Sequence, residues 1–155
     1  SHFKEEAGAE AALLRREIVT VISSGRDPSK LGKLFDVPVF LDSDDLQDLR
    51  VLLTEVQKCH NVALLLTKNT LTRPWCLLEI VTALRFGIPI IPVAVQKKDC
   101  EFKIPDKEFY EDLANGKVLS DCQMGVLKQA DVTLEEVVAA LKEVFQHITV
   151  PYSPL

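Results

Sequence analysis

Hydrophobic positions recur at helical spacing in four segments of this chain. The first runs from residue 5 to about 22, the second follows the acidic turn 43–45, and the third covers 75–86. The last follows Thr133, which forms a capping-box pair with Glu136. The four apolar stripes are, in chain order, Ala7, Ala11, Leu14, Ile18 and Val21; Leu46, Leu49, Leu53 and Val56; Leu77, Ile80, Val81 and Leu84; and Leu134, Val137, Leu141, Val144 and Ile148. Each stripe predicts an amphipathic helix.

Three short segments between these helices have the composition of strands. They are 37–42, 62–67 and 88–95. The last two are almost continuously apolar, which is typical of parallel strands that are covered on both faces. Pro89 and Pro92 lack the backbone donor that a sheet uses, so we expect them at strand ends or near an edge.

The alternation of helices and apolar strands predicts an α/β fold, a flavodoxin-like doubly wound parallel sheet with helices on both faces. From 96 to 130 the pattern is poor, and it indicates only a short strand at 117–119. Because the chain opens with a helix, the first strand of such a sheet is missing from the sequence, and we expect upstream residues to supply it. One domain is expected over 1–150, with 151–155 as a C-terminal tail.

Composition limits the classes of function. A chain of 155 residues with 47% hydrophobic and 26% charged residues suits one globular domain. A net charge of -5 argues against nucleic acid as a partner, and no apolar run reaches the roughly 20 residues needed for membrane insertion. The four cysteines form no C-x-x-C pair and no zinc-type cluster, so we expect no metal and interpret them as buried apolar residues in the reducing cytoplasm. Glycine-rich phosphate loops are absent from the sequence.

Three stretches of the sequence carry a resemblance to a known family. They are Ser1-His2-Phe3-Lys4 with Glu6-Ala7-Gly8; Val39-Phe40-Leu41-Asp42 with Asp44, Asp45 and Leu46; and, most specifically, Arg73-Pro74-Trp75-Cys76-Leu77-Leu78-Glu79 with the helix and strand that follow. In order and spacing they resemble parts of Toll/interleukin-1 receptor (TIR) domains over about residues 1 to 95. The three parts are the end of the first strand with its loop into the first helix, the second strand with the BB loop, and the W-C-x-x-E box. The resemblance implies a cytoplasmic signalling domain that self-associates and has other TIR domains as partners.

The resemblance also implies cleavage of NAD⁺ to nicotinamide and ADP-ribose or cyclic ADP-ribose, with Glu79 as the catalytic residue. Cleavage of the N-glycosidic bond develops positive charge on the ribose, which a carboxylate could stabilise while it binds the ribose hydroxyls. Around it we assign substrate binding to Trp75, as a flat face for a nucleotide ring, to Asp42 or Asp44 at the carboxyl end of a strand, and to Lys4 for a phosphate. NAD⁺ is then a substrate, and no bound cofactor is expected.

Each of these residues also has a structural interpretation. An acid at Glu79 suits the early part of a helix, Trp75 suits a core or an interface, the aspartates suit a turn, and Lys4 suits solvent. The chain departs from the family at Leu49, where many members have a nearby glycine, and at Phe3 with Lys4, where animal enzymes have two basic residues. These departures favour a second hypothesis, a non-catalytic interaction module that serves as a scaffold or adaptor. An open cleft at Glu79, near Asp42 and Trp75, would favour the enzyme. An ion pair of Glu79 with an Arg or Lys on a closed surface would favour the module.

Overall fold

A computed structural model of the chain describes residues 2–24, 39 and 49–153. The elements in these residues are α1 (Lys4–Ser24), α2 (Leu49–Lys58), β1 (Val62–Leu66), a 3-10 turn (Thr70–Thr72), α3 (Pro74–Arg85), β2 (Ile90–Val95), α4 (Lys107–Ala114), α5 (Asp121–Gln129), α6 (Leu134–Val144) and β3 (Val150–Tyr152). The strands form a parallel sheet in the order β1-β2-β3. The predicted α/β class with a parallel sheet is confirmed for the described residues. The strand predicted at 37–42 lies outside them, apart from Val39.

The two faces of the sheet are covered by different helices. Side chains alternate along a strand, so Leu64 and Leu65 of β1 point to opposite faces. Leu64 belongs to the main core, with apolar side chains of α3, α5 and α6. Leu65 packs instead with Val95 of β2 against Ala7 and Ala11 of α1. None of the described helices combines the length and apolar character needed to cross a bilayer.

Helix α3, which contains Trp75 and Glu79, is buried along most of its length. It begins with Pro74 at its first turn, where a missing N–H costs nothing, and it ends before Gly87, whose φ of 66° suits a helix stop. Leu77, Leu78 and Ile80 are fully buried, because α3 contacts α2, α5 and α6 besides the sheet. The predicted helix over 75–86 is therefore confirmed, but it is buried on more than its predicted stripe.

The segment from 96 to 130 contains two helices that the apolar pattern does not predict, and 117–119 is not a strand. Asp106 caps α4 by accepting a hydrogen bond from the Phe109 N–H, and Ser120 with Gln123 forms a reciprocal capping box at α5. These short helices pack few apolar residues, and their caps stabilise the first turns.

The last helix and the C-terminal segment also differ from expectation. Thr133 caps α6 as predicted, but the Glu136 carboxylate forms a two-point ion pair with Arg85 of α3, at 2.6 and 2.7 Å, instead of completing a capping box. Helix α6 ends at Val144, and Ile148, which we expected on its apolar face, is 90% exposed. The residues expected to form a tail include most of β3.

The two prolines near β2 occupy different positions. Pro89 precedes the strand and its carbonyl accepts from the Val62 N–H at 2.9 Å, as expected of a strand end. Pro92 is inside β2, between the two other described strands, and the expectation for it is wrong. In a parallel sheet, the backbone N–H and C=O groups of consecutive residues point alternately to the strands on the two sides. The backbone of Pro92 therefore points towards β3. Because β3 begins at Val150, opposite Val93, the missing donor falls just before this pairing starts.

Strand β3 carries its own proline on its outer side. The Tyr152 carbonyl accepts from the Gln96 N–H at 2.8 Å, so the backbone of Tyr152 faces β2. By the same alternation, the backbone of Val150 faces β2 and that of Pro151 faces away from it. In the described sheet, β3 is the strand at one edge.

Candidate functional site

Three of the five predicted site residues lie in the described part of the chain. Lys4 begins α1 and is exposed, Trp75 is in the first turn of α3 and is partly buried, and Glu79 is in the middle of α3. Asp42 and Asp44 lie outside the described residues. Their assignment to substrate binding stays a prediction.

Glu79 is a buried carboxylate in α3. It is 4% exposed, and its chain neighbours Leu78 and Ile80 are fully buried. Burial raises the pKa of the Cys59 thiol, and the negative charges of Glu55 and Glu79 raise it further. Glu79 therefore lies within electrostatic reach of Cys59, in the connection between α2 and β1.

The start of α3 contacts the start of the chain. The Arg73 guanidinium lies over the Phe3 ring, 4.3 Å from its centroid, in a cation–π contact. The Cys76 thiol donates to the His2 carbonyl at 3.6 Å. Two of the three family-like stretches, distant in sequence, thus contact each other in space.

A second carboxylate, Glu6, joins α1 to the loop that leads into α3, and sequence reasoning missed it. Its oxygens accept from the Thr67 hydroxyl at 2.5 Å, from the Asn69 N–H at 3.1 Å and from the Asn69 side-chain amide at 2.5 Å. Burial opposes ionisation, but these hydrogen bonds and the charge of Lys68 outweigh it, so the pKa of Glu6 is lowered. An acid in the first turn of a helix is too common for the sequence to single it out.

Lys97 ties the end of β2 to the same helix. Its ammonium group donates to the Glu6 carbonyl at 3.0 Å and pairs with Glu10 Oε1, also at 3.0 Å. Glu10 is 8% exposed, and its Oε2 is buried without a hydrogen-bond partner in the described structure. The carboxyl ends of β1 and β2 are therefore both fastened to α1 by charged groups, at the edge where open α/β sheets bind ligands.

Two surface cavities lie away from Glu79. The first, of about 450 Å³, is formed by the loops that follow β1 and β2 and by the start of α4. The second, of about 470 Å³, lies between α4 and α6. Lys4, Trp75 and Glu79 line neither cavity. Neither of these two cavities is therefore the open cleft at Glu79 that would favour the enzyme.

The cysteines differ from one another in burial. Cys59, Cys76, Cys100 and Cys122 are free thiols, but only Cys76 is buried, and Cys122 is exposed. The interpretation of all four as buried apolar residues is therefore wrong. In the part of the chain that the structure describes, no group of three or more His, Cys, Asp or Glu side chains could hold a metal ion.

Comparisons of the chain with protein-family models, with curated proteins and with solved structures found no match. Function is therefore inferred from the residues and contacts described above.

Proposed function

We propose that this chain is a TIR-like signalling domain that cleaves NAD⁺ to nicotinamide and ADP-ribose or cyclic ADP-ribose, with Glu79 as the catalytic residue. The observation that carries the proposal is the burial of this carboxylate, which is 4% exposed between Leu78 and Ile80. Glutamate is rarely buried to this extent, and this one stands at the glutamate position of the W-C-x-x-E-like stretch.

The order of the described strands supports the flavodoxin-like part of the proposal. In a sheet of order 2-1-3-4-5, the last three strands are consecutive neighbours, as β1, β2 and β3 are here. Helix α1 covers one face of the sheet, and α3 covers the other. On this assignment, the strand predicted at 37–42 is the second strand of the sheet.

The proposed chemistry needs one carboxylate in a dry site. As the bond from the ribose to nicotinamide breaks, its electron pair leaves with the neutral nicotinamide, and the anomeric carbon becomes positively charged. The Glu79 carboxylate, which is 4% exposed, stabilises this charge more strongly than a carboxylate in bulk water would. Water then adds to the same carbon and gives up a proton to Glu79, or the adenine ring adds and closes the cyclic product. We assign Trp75 to ring stacking and Lys4 to a phosphate.

The test is NAD⁺ consumption, measured as nicotinamide release, by the wild-type chain and by Glu79→Gln. The amide keeps the volume of the side chain and removes its charge, so we expect at least about a 100-fold loss of turnover. Glu143→Gln, an exposed position in α6, is the matched control and should keep full activity. The assay is run at high protein concentration with a crowding agent, because the resemblance to TIR domains implies that the chain self-associates. Thermal unfolding must show that both variants are folded.

A second function, the non-catalytic interaction module, is favoured by the absence of Glu79 from the walls of both cavities. On this hypothesis Glu79 is structural, and the chain recruits copies of itself or other TIR domains. Self-association measured by light scattering, with no nicotinamide release by the wild-type chain at any concentration, would establish the module and overturn the enzyme.

A further inference from the structure

The cavity at the carboxyl edge of the sheet has no part in the proposed NAD⁺ chemistry. Its volume of about 450 Å³ is in the range of pockets that hold small organic molecules. Its walls come from the segment 68–72 after β1, the segment 99–106 after β2, and Phe109 of α4. Ligands of open α/β sheets bind at this edge, outside the carboxyl ends of the strands.

The walls of this cavity are held in place by contacts within the protein. The Lys68 N–H donates to the Cys100 carbonyl at 3.0 Å and joins the two loops. Asp106 Oδ1 accepts from the Phe109 N–H at 2.8 Å and fixes the start of α4. A binding surface with this support loses little conformational entropy when a ligand enters.

The cavity also has apolar walls with open contact area. Leu71 is buried beneath it, and Phe102 and Phe109 are partly buried. The Phe102 ring stacks on Phe145, with 5.5 Å between the ring centroids, which fixes its position. Ile104 on the rim is 68% exposed. An exposed isoleucine beside partly covered aromatic rings provides apolar surface for a ligand.

The charges around the cavity favour a cation. Three carboxylates, from Asp99, Glu101 and Asp106, and two lysines contribute to the lining. The carboxylates in the lining therefore outnumber the ammonium groups by one. The positive charge of Lys68 is also shared with a carboxylate outside the cavity, because it helps to lower the pKa of Glu6. Aromatic faces next to carboxylates are the groups that proteins use to recognise organic cations.

We propose that this cavity binds an organic ammonium compound, a cationic nitrogen that carries small alkyl groups. Phe102 and Phe109 contact the alkyl groups and the cation, while Asp99 and Glu101 supply the opposite charge. This site is separate from Glu79, and its occupancy does not depend on the proposed NAD⁺ cleavage.

The test is titration with choline, followed by amide NMR. Choline should shift resonances in 99–106 with millimolar affinity. Its neutral isostere, with carbon in place of the nitrogen, should bind about tenfold more weakly, because the cation–π and carboxylate contributions are lost. Equal binding of the two compounds, or no shifts with choline at millimolar concentrations, would overturn the proposal. Shifts produced by inorganic phosphate but not by choline would also overturn it, since the lysines would then decide the specificity.

Two variants separate this site from a nonspecific surface effect. Glu101→Gln and Asp99→Asn should each weaken choline binding several-fold, because each removes one negative charge from the cavity lining. Asparagine suits position 99 because it tolerates the positive φ of 67° there. Glu108→Gln on α4 removes an equal charge outside the cavity lining and should leave choline affinity unchanged. An equal loss in all three variants would show general electrostatic attraction and contradict a built site.

Discussion

The hydrogen bonds of the Glu6 carboxylate hold the loop that follows β1 against α1, and their contribution to stability can be measured directly. Glu6→Gln keeps the shape of the side chain but replaces a charged acceptor of three hydrogen bonds, from Thr67 and from two groups of Asn69. The amide oxygen can keep one or two of these bonds. The amide NH₂ of the variant then faces the NH₂ of Asn69 unless that side chain rotates.

The expected loss of stability follows from these contacts. Hydrogen bonds to a charged group contribute about 1.5–3 kcal/mol each when buried. Glu6 is only partly buried, so solvent screens its charge, and part of the network survives in the variant. We therefore expect Glu6→Gln to lower the free energy of unfolding by about 1–2 kcal/mol at neutral pH, less than the sum of three such bonds.

The dependence on pH gives the stricter test. The pKa of Glu6 is lowered from its ordinary value of 4.5 in the folded protein. Its stabilising contribution is then complete above the unfolded pKa and is lost as the pH falls through the lower, folded pKa. The difference between wild type and Glu6→Gln should be constant near neutral pH and should shrink progressively below about pH 4.5.

Urea unfolding followed by circular dichroism at several pH values measures both effects. Glu5→Gln, one position earlier and exposed in the same helix turn, is the control, and it should cost only a few tenths of a kcal/mol through the helix dipole. If the two variants are equally stable at neutral pH, the hydrogen bonds of Glu6 to Thr67 and Asn69 do not stabilise the fold. A Glu6→Gln deficit that persists unchanged in acid would refute the assignment of the effect to the carboxylate charge.

Two further expectations concern stability away from the site. Gly87→Ala should destabilise by about 1 kcal/mol because of its φ of 66°, whereas Gly125→Ala, inside α5 with open space at the added methyl, should stabilise by about 0.5–1 kcal/mol. Thermal unfolding should show a lower melting temperature for Gly87→Ala and a higher one for Gly125→Ala than for the wild type. Changes in the same direction would contradict the argument from backbone conformation. The ion pair of Arg85 with Glu136 should show a coupling of up to about 1 kcal/mol in a double-mutant cycle and should weaken in high salt. A coupling near zero in low salt would mean that the two-point geometry adds nothing.

The elements that could be predicted from the sequence are those with long, periodic apolar patterns. Helices α1 and α3 and strand β1 lie close to their predicted bounds, because each is encoded by a periodic or continuous apolar pattern. Helices α4 and α5 are short, and their positions are marked by the capping residues at their N-termini rather than by an apolar pattern. The Ser120 and Gln123 spacing was the available signal for α5.

The site was predictable only in part, because its contacts join distant parts of the chain. The sequence singled out Glu79 through its motif, but its burial results from α2, α5 and α6 packing around α3. Glu6 and Lys97 are 91 positions apart in sequence, and only the fold brings their groups together. Val21 and Ile148 fit predicted apolar stripes and are nevertheless 70% and 90% exposed, since no described element covers them.

The proline on the outer side of β3 limits how copies of this domain can associate. A strand at a sheet edge recruits another chain by offering N–H donors as well as carbonyls, and this is the first step towards fibrous aggregation. At the outward-facing position of β3, Pro151 offers a carbonyl and no donor. Continuous sheets that run from one copy to the next through this edge are therefore disfavoured. Any assembly required by the proposed function would therefore form through a surface other than this edge.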